Sequence, residues 1–147
     1  MIAQVFLPGL LQDQIEKEAR DAFPRECCGL VEGVGDEQVL RVTAVHPARN
    51  LATEPDRFEI DPADQFRVLR ALRGTGRDII GCYHSHPNGR AQPSARDREG
   101  AFGGDFLWLI LALVQGQDGL AATLGAFTIG TAAICEVPIA PGIIAAV

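Results

Sequence analysis

The first part of the chain shows the apolar spacing of one helix between short strands. From Pro8 to Phe23 an apolar residue recurs at every fourth position, which makes one face of a helix apolar. The residues of that face are Leu11, Ile15, Ala19 and Phe23. Short apolar runs predict one strand before the helix, Gln4 to Leu7, and two after it, Glu26 to Glu32 and Gln38 to Val45, joined by a turn at residues 33–36.

A second helix follows a loop that is rich in turn-forming residues. Asp61 is a good capping residue and Pro62 suits the first helical position, so we expect the helix to begin there. Its predicted buried stripe consists of Phe66, Leu69 and Leu72. The preceding loop, His46 to Asp56, contains two prolines, and we expect it to be mobile and able to cover a cleft.

The second half of the chain consists mainly of strand patterns. Asp78 to Tyr83 is short, apolar and rich in β-branched residues. Phe106 to Val114 has the length of a strand and falls well short of the roughly 20 residues that a membrane-spanning helix needs. Gly119 to Cys135 is longer, but two glycines and three threonines interrupt it. No membrane segment is therefore predicted.

The end of the chain predicts a hairpin and an apolar tail. Thr123 to Ile129 and Thr131 to Val137 form the hairpin about Gly130. The tail, Ile139 to Val147, is expected to pack on the domain or on a second copy of the chain, as in a homodimer. The order of elements along residues 1–147 favours an α/β fold in a single domain, with one mixed β-sheet flanked by helices on both faces.

Composition agrees with a small enzyme and excludes several other classes. A chain of 147 residues, of which 47% are hydrophobic and 22% charged, can build one core but not two. The net charge of -6 argues against nucleic acid as a partner, because phosphate binding needs clustered Lys and Arg. The four cysteines lack the spacing of a disulfide framework or of a C-x-x-C metal site, so we expect reduced thiols. No signal-peptide pattern opens the chain, which favours a cytoplasmic location.

Two histidines, a serine and an aspartate lie close together in the middle of the chain. The apolar strand that starts at Asp78 continues into His84 and His86, and its alternation places both imidazoles on one face. A turn follows, and Ser94 then starts a helix whose first turn carries Asp97 on about the same face. Catalytic zinc sites use three nitrogen or oxygen ligands and leave a fourth position for water. His84, His86 and Asp97 are therefore the predicted ligands.

Each half of this pattern also has an ordinary interpretation. An H-x-H on a strand is often two unrelated histidines, and S-x-x-D before a helix is more often only a cap. The combination is harder to produce by chance, because the whole chain has only three histidines. The third, His46, is placed in a loop and is not predicted to be a ligand. Cys82 shares the strand face with the pair, but a cysteine in a strand is more often a small buried hydrophobe.

A hydrolytic zinc site also needs a carboxylate that takes a proton from water without binding the metal. Glu26 is the preferred candidate, because it is a charged residue that opens an otherwise apolar run, Cys27 to Val31. A solvated glutamate at the edge of a strand explains the same pattern. The residues alone favour that second explanation.

The complete set resembles the motif of the JAMM/MPN+ metalloproteases. It consists of Glu26, a long gap, His84-Ser85-His86-Pro87, seven residues from Pro87 to Pro93, and then Ser94 and Asp97 with two residues between them. All five functional positions of the motif are present. The segments 24–30, 50–62 and 81–83 also resemble the small prokaryotic members, and the similarity extends to about Val114.

The resemblance implies an MPN/JAB-like fold, related to that of cytidine deaminases, with one zinc ion per chain on His84, His86 and Asp97. Glu26 would act as general base and acid, and Ser94 would stabilise the oxyanion of the tetrahedral intermediate, which is worth about 3 kcal/mol for one well-placed donor. Ser85 would orient the loop rather than react.

The same resemblance implies hydrolysis of a peptide or isopeptide bond. The expected partner is a ubiquitin-like or sulfur-carrier protein with a Gly-Gly tail, joined at its C-terminus to a protein or to an amino acid such as cysteine. An extended tail could pair with an exposed strand edge. The chain runs through Gly103-Gly104 without the long insertions of eukaryotic relatives, so selectivity for polyubiquitin is not implied.

Three other functions compete with this interpretation. A zinc nucleoside deaminase would need H-x-E and P-C-x-x-C ligands, and neither motif is present, because His86 stands where the glutamate would be. A non-catalytic binding module of the same fold typically loses ligands, whereas this chain keeps all of them. A metallohydrolase of small amides is hardly separated from the first interpretation by the sequence.

Overall fold

The computed structural model describes residues 1–99, 105–130 and 133–142. Within them the chain forms eight strands and three helices: β1 (Gln4–Pro8), α1 (Gly9–Ala22), β2 (Cys28–Gly35), β3 (Val39–Ala48), α2 (Pro62–Leu72), β4 (Asp78–His86), α3 (Ala95–Glu99), β5 (Leu107–Gly116), β6 (Gly119–Ile129), β7 (Ile134–Glu136) and β8 (Ile139–Gly142). The strands make one sheet in the order β7-β6-β5-β4-β2-β3-β1-β8. It is mixed, because β4 runs parallel to β5 and β1 runs parallel to β3 and β8, whereas the other pairs are antiparallel.

The two long helices pack on opposite faces of this sheet. Neighbouring residues of β2 point to different faces, since Val31 lies in the core beneath α1 and Leu30 lies in the cluster that includes α2. The buried residues of α1 are Leu11, Ile15 and Ala19, and those of α2 are Val68 and Leu72. The predicted mixed sheet flanked by helices is therefore confirmed.

Three apolar residues that were predicted to be buried are exposed. α1 ends at Ala22, so Phe23 leaves the apolar face and is 39% exposed. On α2 the predicted stripe is wrong at Phe66 and Leu69, which are 70% and 41% exposed. The helix instead packs through Val68 and Leu72, one turn apart, and this narrow contact leaves Phe66 and Leu69 outside the core.

The connection between β3 and α2 begins later than predicted. His46 lies in β3 rather than in a loop, and its Nε2 contacts the carboxylate of Glu32 at 3.0 Å. The connection is anchored at Asn50, whose Nδ2 donates to the carbonyls of Glu26 and Arg57, each at 3.0 Å. The Oδ1 of Asn50 accepts backbone N–H groups from two further residues of the neighbourhood. The mobility of this segment stays a prediction.

The C-terminal elements complete the sheet on both edges. β5 and β6 pair antiparallel along their full length, and the predicted hairpin about Gly130 is confirmed by the pairing of β6 with β7. β6 is longer than predicted, because it starts at Gly119. The start of the predicted second hairpin strand at Thr131, the Gly103-Gly104 connection and the tail beyond residue 142 lie outside the described residues. The nearer part of the tail forms β8 and pairs with β1, while the homodimer stays a prediction. None of the helices described is long and apolar enough to cross a membrane.

Candidate metal centre

The two predicted histidines stand at the end of β4 on one face of the sheet. His84 and His86 alternate with Ser85, as expected for a strand, and their Nε2 atoms lie 2.9 Å apart. α3 brings Asp97 to the same point, where its Oδ2 lies 3.2 Å from each Nε2. None of the three residues is more than 5% exposed. The fold therefore brings the predicted ligand set together.

The donor atoms of this set fit a metal ion. Around a tetrahedral ion with bonds of about 2.0 to 2.1 Å, neighbouring donor atoms lie about 3.3 Å apart. The triangle formed by His84, His86 and Asp97 has sides of 2.9, 3.2 and 3.2 Å. Two imidazole nitrogens and one carboxylate oxygen can therefore share one ion and leave one coordination position open.

The protonation states of these groups suit the same purpose. Burial would raise the pKa of Asp97, but hydrogen bonds from His84 and His86 hold it well below its usual range, so that the carboxylate is ionised. Burial lowers the pKa of His84, which keeps that ring neutral. Burial also acts to lower the pKa of His86, but Asp97, the carbonyl of Arg90 and Glu26 together outweigh burial, so that the pKa is raised. A metal needs neutral imidazoles and an ionised carboxylate, and its binding would displace the proton held between these groups.

Contacts behind the histidines fix the orientation of each ring. His86 Nδ1–H donates to the carbonyl of Arg90 at 2.7 Å, which turns Nε2 towards the centre. His84 Nδ1 has no hydrogen-bond partner in the part of the chain that the structure describes. Its ring is held by stacking on Phe58, with centroids 4.3 Å apart, and by an edge contact with Trp108 at 5.9 Å.

The loop that carries Arg90 depends on a glycine in β6. A Cβ atom on Gly125 would lie 2.7 Å from the carbonyl oxygen of Ala91 and 2.7 Å from the ring of Phe127. Only a residue without a side chain allows the loop to approach β6 so closely. Gly125 thus supports His86 indirectly. The spacing of residues along the chain did not indicate this contact between Gly125 and the loop.

Ser94 and Asp97 form reciprocal hydrogen bonds at the start of α3. Ser94 N–H donates to Asp97 Oδ2 at 2.8 Å, and Asp97 N–H donates to Ser94 Oγ at 3.1 Å. The capping interpretation of S-x-x-D is therefore correct, and it is compatible with a second role, because the capped carboxylate also faces the histidines. The hydroxyl of Ser94 accepts in this pair and keeps its own proton available to donate.

Glu26 lies beside the same three groups. A carboxylate oxygen of Glu26 lies within 4.8 Å of the imidazole nitrogens of His84 and His86, so these three residues could also hold an ion. Asp97 is closer, at 3.2 Å from both rings, and is the better third ligand. Glu26 is only 6% exposed, so the solvated glutamate that the residues alone favoured is wrong. Burial raises the pKa of Glu26 to about 7, which allows its carboxyl to gain and lose a proton near neutrality.

Strand pairing explains how Glu26 reaches this position. It precedes β2 instead of opening it, and Cys28 at the start of β2 pairs with His84. Ser85, on the face opposite the histidines, accepts from Cys27 N–H at 2.8 Å and donates its own N–H to the carbonyl of Cys27 at 3.1 Å. Ser85 therefore orients the segment that carries Glu26, in agreement with the role expected for it.

A cleft of about 930 Å³ extends from this centre. Glu26 and Asp97 line it, and so do Ile79 at the start of β4 and Leu69 of α2. Ile79 and Cys82, which both line it, are separated by about 10 Å along the strand. The cleft therefore follows β4 from the centre towards Ile79. Cys82 also lines the cleft, and burial raises the pKa of its thiol.

The chain is similar to known proteins over most of its length. Residues 10–124 match the family described as prokaryotic homologs of the JAB domain. The desampylase of Haloferax volcanii is 39% identical over 104 residues, which cover 67% of this chain and 73% of that protein. A probable TtuB-protein conjugate cleaving protease of Thermus thermophilus is 34% identical over 117 residues, which cover 79% of this chain and 72% of that protein.

A solved structure has the same fold. The solution structure of a Desulfitobacterium hafniense protein superimposes with a TM-score of 0.82 at 29% identity, and the match covers 95% of this chain and 93% of that one. The expected MPN/JAB-like fold is therefore confirmed. From this match, the family match and the buried Glu-His-His-Asp centre, we conclude that the chain belongs to the prokaryotic homologues of the JAB domain, the small prokaryotic branch of the JAMM/MPN family.

Proposed function

We propose that this protein is a zinc-dependent hydrolase that cleaves a peptide or isopeptide bond and releases a ubiquitin-like or sulfur-carrier protein from its C-terminal conjugate. The observation that carries the proposal is the convergence of His84, His86 and Asp97 within 3.2 Å of one another, with the carboxylate of Glu26 beside them. The names of the relatives support it, since one is a desampylase and another a probable TtuB-protein conjugate cleaving protease.

In this proposal His84, His86 and Asp97 hold one zinc ion per chain. A zinc ion bound there would polarise a water molecule and lower its pKa towards neutrality. Glu26, with a pKa of about 7, accepts the proton of the water and later passes it to the leaving amine. Ser94 donates its free hydroxyl proton to the oxyanion that develops on the scissile carbonyl.

The cleft suggests the form of the substrate. A length of about 10 Å between Ile79 and Cys82 accommodates roughly three residues of an extended chain. Glycines at the end of the substrate tail would let its backbone approach the centre closely, although the rings of Phe58 and Trp108 pack against His84 there. A carrier protein with a Gly-Gly tail meets both conditions. Its amine partner would lie beyond Glu26.

The test combines metal content with hydrolysis of a carrier-protein conjugate. We expect one zinc per chain in the purified protein and loss of hydrolysis in the presence of a chelator. Glu26→Gln should keep the metal and lose turnover by a factor of at least about 10³, because the general base is removed. Asp97→Ala should lose the metal itself.

His46→Ala is the matched control, since His46 is the third histidine of the chain and contacts Glu32 rather than the centre. It should keep both zinc and activity. Full turnover of Glu26→Gln would reassign the base, and loss of zinc in His46→Ala would show that the ligand set is wrong. Cleavage of small amides without any cleavage of carrier conjugates would favour the alternative, a metallohydrolase of small substrates.

A further inference from the structure

The side chain of Asn50 makes four hydrogen bonds in the connection between β3 and α2. Its Oδ1 accepts the N–H groups of Ala52 and Glu59, each at 2.9 Å, and its Nδ2 donates to the carbonyl of Arg57 at 3.0 Å. These three bonds lie within the loop that follows Asn50. The fourth leaves the loop, because Nδ2 also donates to the carbonyl of Glu26 at 3.0 Å. Closing the loop does not require this fourth bond.

The fourth bond fixes the peptide unit that follows the α-carbon of Glu26. This unit consists of the carbonyl of Glu26 and the N–H group of Cys27. Asn50 holds the carbonyl, and the Oγ of Ser85 accepts the N–H at 2.8 Å. The unit lies outside the ladder of the sheet, because the pairing of β2 begins at Cys28. Two side chains from different elements therefore set the direction in which Glu26 leaves the backbone.

The same amide holds the backbone on both sides of Phe58. Asn50 binds the carbonyl of Arg57, in the peptide unit before Phe58. It also binds the N–H group of Glu59, in the unit after Phe58. The ring of Phe58 stacks on His84 with centroids 4.3 Å apart and planes inclined by 19°. The stacking supports a ring whose Nδ1 has no hydrogen-bond partner among the residues that the structure describes.

We propose that Asn50 is a positioning residue that aligns the general base Glu26 with the metal ligand His84. The inference rests on the proposed function and adds to it a side chain that acts only through other residues. Asn50 is not among the described residues that line the cleft, so it should influence kcat rather than KM. A displacement of about 1 Å at a reacting group can cost about 100-fold in rate.

Asn50→Asp removes the donor and keeps the shape of the side chain. It retains an acceptor for the two N–H groups of the loop but turns an oxygen towards the two carbonyls. We expect kcat for a carrier conjugate to fall about 100-fold and KM to change by less than about threefold. The acidic limb of the pH–rate profile should shift, because this limb reports the surroundings of Glu26. Asn50→Ala should show the same pattern.

Metal binding gives a measurement that does not depend on hydrolysis. Both Asn50 variants should bind zinc about tenfold more weakly in a chelator competition, because Phe58 no longer fixes the ring of His84. Phe58→Leu should weaken zinc binding by a similar factor. Adding Asn50→Ala to Phe58→Leu should then weaken it little further, because both changes remove the same support.

A double-mutant cycle tests the connection from Asn50 to the base. Asn50 and Ser85 hold the two ends of one peptide unit, so the loss of either side chain frees that unit. Asn50→Ala should therefore lower kcat much less in the Ser85→Ala background than in the unaltered enzyme. Reductions of kcat that multiply would overturn this connection.

Asp36→Ala is the matched control for a loss of stability alone. Asp36 accepts the N–H groups of Gln38 and Val39, at 2.7 and 2.9 Å, in the turn at the other end of β2 from Glu26. Asp36→Ala should lower the urea midpoint and leave kcat, the pH–rate profile and zinc affinity unchanged. The same result for both Asn50 variants would overturn the inference. An unaltered enzyme that is inactive on the conjugate, with weaker zinc binding in both Asn50 variants, would overturn the proposed function but not the support of His84 by Asn50.

Discussion

Replacing Glu26 by glutamine should make the metal-free protein more stable at alkaline pH, although the same change is expected to abolish hydrolysis. Glu26 is 6% exposed, and burial raises its pKa to about 7 from the ordinary value of 4.5. An acid whose pKa is raised in the folded state destabilises the fold when it ionises. The penalty is absent well below pH 4.5, grows between pH 4.5 and about 7, and is complete above that range.

The size of the effect follows from the difference in pKa. One pKa unit corresponds to about 1.4 kcal/mol, so the penalty reaches about 3 kcal/mol at pH 8 and stays under about 1 kcal/mol at pH 5. Glutamine has nearly the same shape as glutamate and no charge to desolvate. Glu26→Gln should therefore recover most of that free energy of unfolding at pH 8 and little of it at pH 5.

Urea unfolding in the presence of a chelator measures this difference. With an m-value of about 2 kcal/mol/M, the midpoint of Glu26→Gln should exceed that of the unaltered protein by about 1.5 M at pH 8 and by less than about 0.5 M at pH 5. Glu59→Gln is the control, since Glu59 lines the same cleft but is exposed, and its midpoint should shift equally at both pH values.

The reasoning is refuted if Glu26→Gln and the unaltered protein unfold at the same midpoint at pH 8, or if the variant is the less stable of the two. Zinc gives a second check. A cation held by His84, His86 and Asp97 would stabilise the ionised carboxylate of Glu26, so the advantage of the glutamine variant should shrink when zinc is added.

Three further predictions concern the groups around the centre. Ser94→Ala should lower kcat about 100-fold because an oxyanion donor is lost, and it should lower the free energy of unfolding by about 1 kcal/mol because the cap of α3 is lost. Steady-state kinetics measures the first effect and urea unfolding the second. An unchanged kcat would remove Ser94 from the mechanism. Gly125→Ala should weaken zinc binding about tenfold in a chelator competition, because its Cβ would displace the loop that orients His86. Gly130→Ala, whose Cβ would have its nearest contact at 3.5 Å, should bind zinc normally, and equal affinities for the two variants would contradict this account. Ser85→Ala should lower kcat and shift the acidic limb of the pH–rate profile, because Ser85 holds the backbone beside Glu26. A lower stability with an unchanged pH–rate profile would show that Ser85 has only a structural role.

The ligand set could be predicted because each part of it is local. Two residues separated by one position on a strand share a face, and this places His84 beside His86. A residue three positions into a helix turns back towards its cap, and this aligns Asp97 with Ser94. The resemblance to the family then joined these two parts. The residues made Glu26 a candidate, but only the resemblance favoured it over a solvated glutamate, because no spacing along the chain relates residue 26 to residue 84.

The wrong predictions concern features of the structure that are determined by packing between residues far apart in the chain. The apolar spacing of α2 is compatible with more than one buried stripe. In the folded chain the stripe that packs against the sheet consists of Val68 and Leu72. Phe66 and Leu69, predicted to be core residues, are instead part of an exposed surface beside the cleft. The extension of β3 through His46 likewise depends on its pairing with β2.

The sequence by itself determined the periodic elements, the mixed α/β architecture and the chemical types gathered at the centre, because backbone geometry repeats every two residues in a strand and every 3.6 in a helix. The tertiary structure alone decided that the carboxyl of Glu26 is buried beside His84, that Gly125 supports the loop of His86, and that α2 turns Phe66 outwards. These features depend on which strands pair and in which register. Pairing is settled by the free energy of the whole core, to which residues far apart in the chain contribute together.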